Sequence, residues 1–192
     1  AKKRNTLYQQ IKKHALYIGL GIVHEDKIDE LNILQATMQA MRESIRDLGI
    51  KPDMLLVDGN IKPLSGIPQE SIIKGDSKSL SIAAASIIAK VTRDNMMAQY
   101  DIIYPGYGLS RNMGYGTKEH IQAIKRKFST PIHRRSFNPV NQYMPRFKDL
   151  KDTQRLSAQI VASDLLKRGH EILMVHSDFD RLDILTLFRG KT

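Results

Sequence analysis

Residues 52–59 read Pro-Asp-Met-Leu-Leu-Val-Asp-Gly, and this stretch decides the fold class. The apolar run Met54–Val57 lies between chain-breaking residues, which is typical of a strand buried in a parallel sheet. The next strand is predicted at Ser71–Ile73. Because helical patterns flank both runs, the order of helix, turn and buried strand predicts an α/β fold.

The surrounding helices are predicted from apolar residues spaced three or four apart. They are expected at residues 2–18, 28–48, 80–100, 118–128 and 153–168. Thr117 is the expected N-cap of the helix that begins at Lys118. Three further short strands are expected at residues 20–23, 172–175 and 182–188.

The composition excludes several classes of protein. The 192 residues contain no cysteine, which excludes disulfides, thiol catalysis and cysteine-bound zinc. No apolar run approaches the ~18–20 residues of a membrane-spanning helix, and no signal-peptide pattern opens the chain. We therefore expect a cytoplasmic protein with one domain, or one domain and a fragment of another.

Positive charge is concentrated in one part of the chain. Residues 111–155 hold 11 basic and 3 acidic side chains, and so account for +8 of the net charge of +10. Aromatic residues alternate with the basic ones there. This pattern indicates a surface that binds nucleic acid, and the alternative interpretation is a solvated helix face.

Two carboxylates have positions that suggest chemistry. Asp58 directly follows the strand Met54–Val57, and Asp76 follows the next strand. Carboxylates at adjacent strand ends can share Mg²⁺, which prefers oxygen ligands. Paired metals beneath a basic surface would suit phosphodiester hydrolysis. Alternatively, Asp58 belongs to an ordinary turn and Asp76 caps a helix.

Seven motifs, taken together and in order, resemble bacterial ribonuclease HII over about residues 1–140. They are Asp29–Thr37, Leu56–Gly59, Lys74–Ser77, Ile82–Asp94, Tyr104–Gly108, Gly114–His120 and His133–Phe137. The resemblance implies a ribonuclease H-like α/β fold, with a mixed sheet flanked by helices.

The resemblance also implies an activity and its site. The family is a type 2 ribonuclease H that hydrolyses the RNA strand of RNA–DNA hybrids, and cuts 5′ to single ribonucleotides in duplex DNA, with Mg²⁺ or Mn²⁺. Asp58 and Asp76 correspond to its third and fourth catalytic, metal-binding carboxylates. Tyr115 corresponds to the tyrosine that stacks beneath the sugar at the junction and helps sense the 2′-hydroxyl.

The expected partner is therefore an RNA–DNA hybrid or duplex DNA that contains a ribonucleotide. Besides Tyr115, contacts with this nucleic acid are expected from Lys74, Lys90, Lys118, His133, Arg134 and Arg135. For a lone histidine such as His120 or His133, a hydrogen bond to a loop carbonyl is the alternative to metal ligation.

The chain departs from the family's pattern at its beginning. The family begins with a strand that carries an adjacent Asp-Glu pair and a following Gly-Arg-Gly turn, whereas this sequence begins at what would be a later helix. We therefore expect the first strands and half of the metal ligands to be missing, and the isolated chain to have little nuclease activity. A non-catalytic module that binds hybrid or duplex nucleic acid is the alternative function.

The chain also continues beyond the family's usual end. A linker is expected at residues 141–152, followed by a partial α/β extension at 153–192. The extension resembles the start of a small YraN-type endonuclease-like family. The usual Gly-Glu-Ile-Asp string of that family reads Asp-Arg-Leu-Asp at residues 180–183, so only Asp183 matches it. An α/β tail of unknown role is the alternative.

Overall fold

A computed structural model of the chain describes residues 2–63, 66–143, 167, 171–176 and 182–187. The helix expected at residues 153–168 lies outside the described residues, except for residue 167, which is helical. Most of the expected linker also lies outside them.

The chain divides into two compact units. The first comprises residues 1–23 and 27–93, and the second comprises residues 24–26 and 94–192. The α-helices of the described residues are α1 (Lys2–His14), α2 (Glu25–Leu31), α3 (Ile33–Asp47), α4 (Leu80–Ile103), α5 (Leu109–Asn112) and α6 (Lys118–Lys127).

The single helix expected at residues 28–48 is instead two helices, because the chain leaves the helical conformation at Asn32. The φ angle of Asn32 is 72°, in the left-handed region that asparagine tolerates better than most residues. Its side-chain oxygen accepts hydrogen bonds from the N–H groups of Leu34 and Gln35, at 3.0 and 3.1 Å. Asn32 therefore caps α3.

The prediction of a strand at residues 20–23 is wrong, because the backbone of this segment packs against α3. A Cβ atom on Gly21 would lie 1.8 Å from the carbonyl oxygen of Ala40, and one on Gly19 would lie 2.1 Å from that of Ser44. The N–H of Leu20 donates to Asp47 at 2.8 Å. The two glycines therefore permit close packing on a helix.

A small parallel sheet lies in the first unit, as expected. Strand β1 (Leu55–Asp58) pairs with β2 (Gln69–Ile72), and Asp58 lies opposite Ile72. The chain then forms a 3-10 helix at Gly75–Ser77 and enters α4. The carboxyl ends of both strands therefore lie at the same edge of the sheet.

The second unit has its own apolar core. Helix α5 was not among the helices predicted from the sequence. Helix α6 begins after Thr117, whose side chain accepts a hydrogen bond from the N–H of His120. The core residues are Met97, Tyr100, Ile103, Tyr104, Tyr107, Leu109, Ala123, Ile124 and Val140.

The last described elements are two strands of the second unit. Strand β3 (Glu171–His176) pairs antiparallel with β4 (Leu182–Leu187), so strands are confirmed in both expected places. Within the described ranges, no helix is long and apolar enough to span a membrane.

Candidate active site and nucleic-acid interface

The first candidate feature is the acidic pair Asp58 and Asp76, at the carboxyl edge of the sheet. Asp58 is the last residue of β1, and its Oδ1 accepts a hydrogen bond from the N–H of Gly75 at 2.7 Å. Asp76 is the next residue after this donor. The two acidic residues therefore lie on contacting segments, and both are exposed to solvent.

Close approach at Gly75 makes this arrangement possible. A Cβ atom on Gly75 would lie 3.3 Å from Oδ1 of Asp58 and 2.6 Å from Cδ1 of Ile82, which is buried. Glycine at this position lets the backbone N–H reach the carboxylate without displacing the side chain of Ile82.

Two of the basic candidates belong to the same unit as the acidic pair. Lys74 is exposed and has a φ of 56°, and its carbonyl accepts a hydrogen bond from the hydroxyl of Ser77 at 2.8 Å. Lys90 is exposed on α4, where its Nζ donates to Ser86 at 2.9 Å. The chain direction places Lys74 two residues before Asp76, while Lys90 lies more than two helical turns further along α4.

The second candidate feature is Tyr115, which lies in the second unit. Its side chain is 69% exposed, although its backbone is held on both sides. The N–H of Tyr115 donates to Asn112 at 2.8 Å, and its carbonyl accepts from the N–H of Thr117 at 2.8 Å. A large aromatic side chain is thus presented to solvent from a fixed backbone.

Buried Asn112 organises the loop that carries Tyr115. Its amide Nδ2 donates to the carbonyl of Tyr107 at 2.7 Å, and its Oδ1 accepts from the N–H of Gly114 at 2.9 Å. The hydroxyl of Tyr107 bonds to the carbonyl of Phe128 at 2.8 Å. Burial raises the pKa of Tyr107 to about 12, with Tyr104 as a second cause, so this hydroxyl stays a donor.

The two histidines of this region occupy internal positions. Nδ1 of His120 lies 2.9 Å from the carbonyl oxygen of Tyr115. This is the hydrogen bond to a loop carbonyl that was expected from the sequence as the alternative to metal ligation. His133 is buried, with Nε2 3.1 Å from Nε2 of His120 and Nδ1 3.1 Å from the N–H of Thr130. Both ring nitrogens of His133 are therefore bonded inside the protein, and its imidazole is not placed to contact a phosphate.

The remaining basic candidates are better placed for such contacts. Lys118 and Arg135 are exposed. The guanidinium of Arg134 lies 4.3 Å from the ring centroid of Phe137, which is 51% exposed. Arg134 and Phe137 thus place a cation beside an exposed ring, the combination that binds phosphates and stacks on sugars or bases.

Two of the three basic residues at the end of α6, which are all exposed, contact neighbouring groups of the protein. Nζ of Lys127 donates to the carbonyl of Pro105 at 3.0 Å and lies 6.0 Å from the ring centroid of Tyr107. Nζ of Lys125 lies 5.8 Å from the ring centroid of Tyr143. Lys127 therefore has a packing role that net charge alone does not reveal.

Two contributors to these features were missed from the sequence, namely Gly75 and Asn112. Gly75 precedes an acidic residue at a strand-to-helix turn, and this position was the available signal for a backbone donor. Asn112 had no signal, because an asparagine in a glycine-rich segment is an ordinary loop residue.

A comparison with protein-family models identifies the class. The model described as Ribonuclease HII matches residues 1–140, which is most of the chain. The chain belongs to the ribonuclease HII family. The mixed α/β architecture, rich in helices and with a small parallel sheet, is consistent with the ribonuclease H-like fold expected from the sequence.

Two curated relatives carry the name Ribonuclease HII. One, from Enterococcus faecalis, is 57% identical over 140 residues, covering 73% of this chain and 54% of the relative. Another, from Lachnoclostridium phytofermentans, is 53% identical over 136 residues, covering 71% of this chain and 54% of the relative. The chain thus spans about half the length of the curated relatives it matches.

Proposed function

We propose that the chain carries part of the active site of a metal-dependent endoribonuclease. Its substrates would be RNA–DNA hybrids and duplex DNA containing single ribonucleotides, cut on the 5′ side of the ribonucleotide. The observation that supports this best is the acidic pair, in which the carboxylate of Asp58 contacts the residue that precedes Asp76.

The donor set fits a hard divalent cation such as Mg²⁺ or Mn²⁺. Asp58 and Asp76 are exposed and supply carboxylate oxygens, the ligands that such cations prefer. The hydrogen bond from Gly75 orients Asp58, and a carboxylate retains capacity for a cation beside one such bond. When bound, a pair of cations supplies Lewis-acid stabilisation of the charge that develops at the phosphate.

The described residues provide only part of a complete ligand set. No group of three or more histidine, cysteine or acidic side chains that could hold a metal occurs among them. Because the chain spans about half of its relatives, we propose that the other ligands come from the family's Asp-Glu strand.

Tyr115 and the basic candidate residues have a separate role in this proposal. The exposed phenol of Tyr115 would stack against the sugar at the RNA–DNA junction, where the 2′-hydroxyl distinguishes RNA from DNA. Lys118, Arg134 and Arg135 would contact phosphates, and Lys74 and Lys90 would do so from the first unit. The bonding of His133 suits a supporting position instead.

The test is cleavage of duplex DNA that contains one ribonucleotide. The chain is joined to the N-terminal segment of the Enterococcus faecalis relative and assayed with Mg²⁺. We expect cleavage, and an Asp58→Asn or Asp76→Asn change should slow it by at least about 100-fold, since metal catalysis supplies several kcal/mol. The matched control is Asp53→Asn, an exposed aspartate near the opposite end of β1, which should leave the rate unchanged.

The competing function is binding without cleavage. The incomplete ligand set among the described residues is the observation that favours it. If the joined chain binds the duplex but never cuts it, or if Asp58→Asn leaves cleavage intact, the enzymatic proposal is contradicted.

A further inference from the structure

His120 and His133 form a buried pair that the proposed chemistry does not use. Their Nε2 atoms are 3.1 Å apart, and the side chains are 4% and 8% exposed. One histidine lies on α6, and the other lies in the turn that follows it. A direct contact between two ring nitrogens requires that exactly one of them carries a hydrogen.

The neighbours determine which nitrogen that is. The N–H of Thr130 donates to Nδ1 of His133 at 3.1 Å, and the hydroxyl oxygen of Thr130 lies 2.8 Å from the same nitrogen. Because a backbone N–H can only donate, Nδ1 of His133 is an acceptor, the hydroxyl donates to it as well, and the hydrogen of His133 is on Nε2. Nε2 of His120 must then accept, which places the hydrogen of His120 on Nδ1. That Nδ1–H donates to the carbonyl of Tyr115 at 2.9 Å.

The result is one directed series of hydrogen bonds, from Thr130 through His133 and His120 to Tyr115. We propose that His120 and His133 are positioning residues, which hold the backbone of Tyr115 so that its phenol is presented to the junction sugar. This inference rests on the proposed function, because it concerns the residue assigned there to the sugar.

The series requires the ring of His133 to be neutral, because a second hydrogen, on Nδ1, would end the hydrogen bond that the N–H of Thr130 donates to this nitrogen. Burial lowers the pKa of His133 to about 4, with the charge of His120 as a second cause. Tyr107, whose ring centroid is 5.6 Å from that of His133, is neutral over the same range.

Two substitutions of His120 separate positioning from general packing. In His120→Asn the amide nitrogen replaces Nδ1, so the bond to Tyr115 can persist while the bond to His133 is lost. In His120→Gln the amide replaces Nε2, so the contact with His133 can persist while the bond to Tyr115 is lost. A purely structural role predicts similar effects for both.

The first measurement does not depend on nucleic acid. Long-range ¹⁵N–¹H spectra of the full chain should show His120 with hydrogen on Nδ1 and His133 with hydrogen on Nε2. Exchange of the Thr117 amide, which also bonds to Tyr115, should accelerate roughly fivefold in His120→Gln but not in His120→Asn. The opposite tautomers, or equal exchange in both variants, would overturn the proposal.

The second measurement uses the joined chain of the cleavage test proposed above. The preference for duplex DNA containing one ribonucleotide over all-DNA duplex should fall about tenfold in His120→Gln and be retained in His120→Asn. Equal loss in both would overturn the positioning role. A parent protein with no such preference would instead contradict the role proposed for Tyr115, while the spectra still test the histidine pair.

Discussion

The N–H of Gly75 donates a hydrogen bond to the carboxylate of Asp58 across 2.7 Å, although 17 residues separate them in the sequence. This bond joins the end of β1 to the turn after β2. It also brings Asp76, the next residue, to the segment that contacts Asp58. The bond therefore holds Asp58 and the 3-10 helix that carries Asp76 on contacting segments, which the proposed shared cation requires.

Gly75→Ala should disturb this relation. The new Cβ would lie 2.6 Å from Cδ1 of Ile82 and 3.3 Å from Oδ1 of Asp58, and such overpacking typically costs ~1–3 kcal/mol. We expect slower cleavage and a lower free energy of unfolding, measured in urea. Adding Ile82→Val, which removes Cδ1, should restore stability more than cleavage. Wild-type cleavage by Gly75→Ala would contradict the importance of the contact.

Substitutions of two tyrosines in the same segment should have opposite effects on stability and on substrate preference. Tyr115→Ala should leave stability unchanged because the side chain is 69% exposed, yet it should reduce the preference for a ribonucleotide in the cleavage assay. Tyr107→Phe removes the hydroxyl bonded to Phe128 and should cost about 1 kcal/mol of stability without changing the preference. A preference that follows Tyr107 instead of Tyr115 would contradict the proposed interface.

The neutral state of His133 predicts a pH dependence of folding. The unfolded chain protonates this histidine below its ordinary pKa of 6.5, whereas the folded chain does so only near a pKa of about 4. Between these values the unfolded state binds the extra proton, so the free energy of unfolding should fall as the pH falls through this window.

The contribution of His133 is at most about 3 kcal/mol, from the size of its pKa shift. Urea unfolding at about pH 7.5 and about pH 4.5 measures it. His133→Asn, in which Oδ1 can still accept from Thr130, should have a weaker pH dependence over this window. An equally steep dependence in the variant would mean that other groups cause it.

The salt dependence of binding to duplex DNA should distinguish basic residues that contact phosphates from those that stabilise the fold. Lys118→Ala and Arg135→Ala should each reduce the slope of log K against log salt by about 0.9 if one phosphate contact is lost. Lys127→Ala should instead lower stability, because its Nζ bonds to the carbonyl of Pro105, with a smaller change in slope. Unchanged slopes for Lys118 and Arg135 would place their side chains away from the nucleic acid.

The positions of Asp58 and Asp76 could be predicted from the sequence, because they depend on the pattern of apolar residues and on the direction of the strands. An apolar run between breakers predicts a buried strand, and parallel strands end at the same edge of a sheet. These rules predict that Asp58 and Asp76 lie near the same edge of the sheet. The N-cap role of Thr117 followed from equally local chemistry.

Other features depend on contacts that local patterns do not encode. The apolar period continues through Asn32, so the break between α2 and α3 was not visible in it. The pairing of His120 with His133 requires the turn after α6 to fold back on that helix. Likewise, Lys127 looks like part of a nucleic-acid surface until its bond to Pro105 is seen.

The most direct test of the shared cation is a Mn²⁺ titration of the ¹⁵N-labelled chain, followed by paramagnetic broadening of amide signals. We expect the signals of Asp58, Gly75 and Asp76 to broaden together with one dissociation constant. Asp58→Asn should weaken the effect at Asp76, and Asp53→Asn should not. Broadening at only one of the two aspartates, or at Asp76 unchanged by Asp58→Asn, would contradict a common metal site.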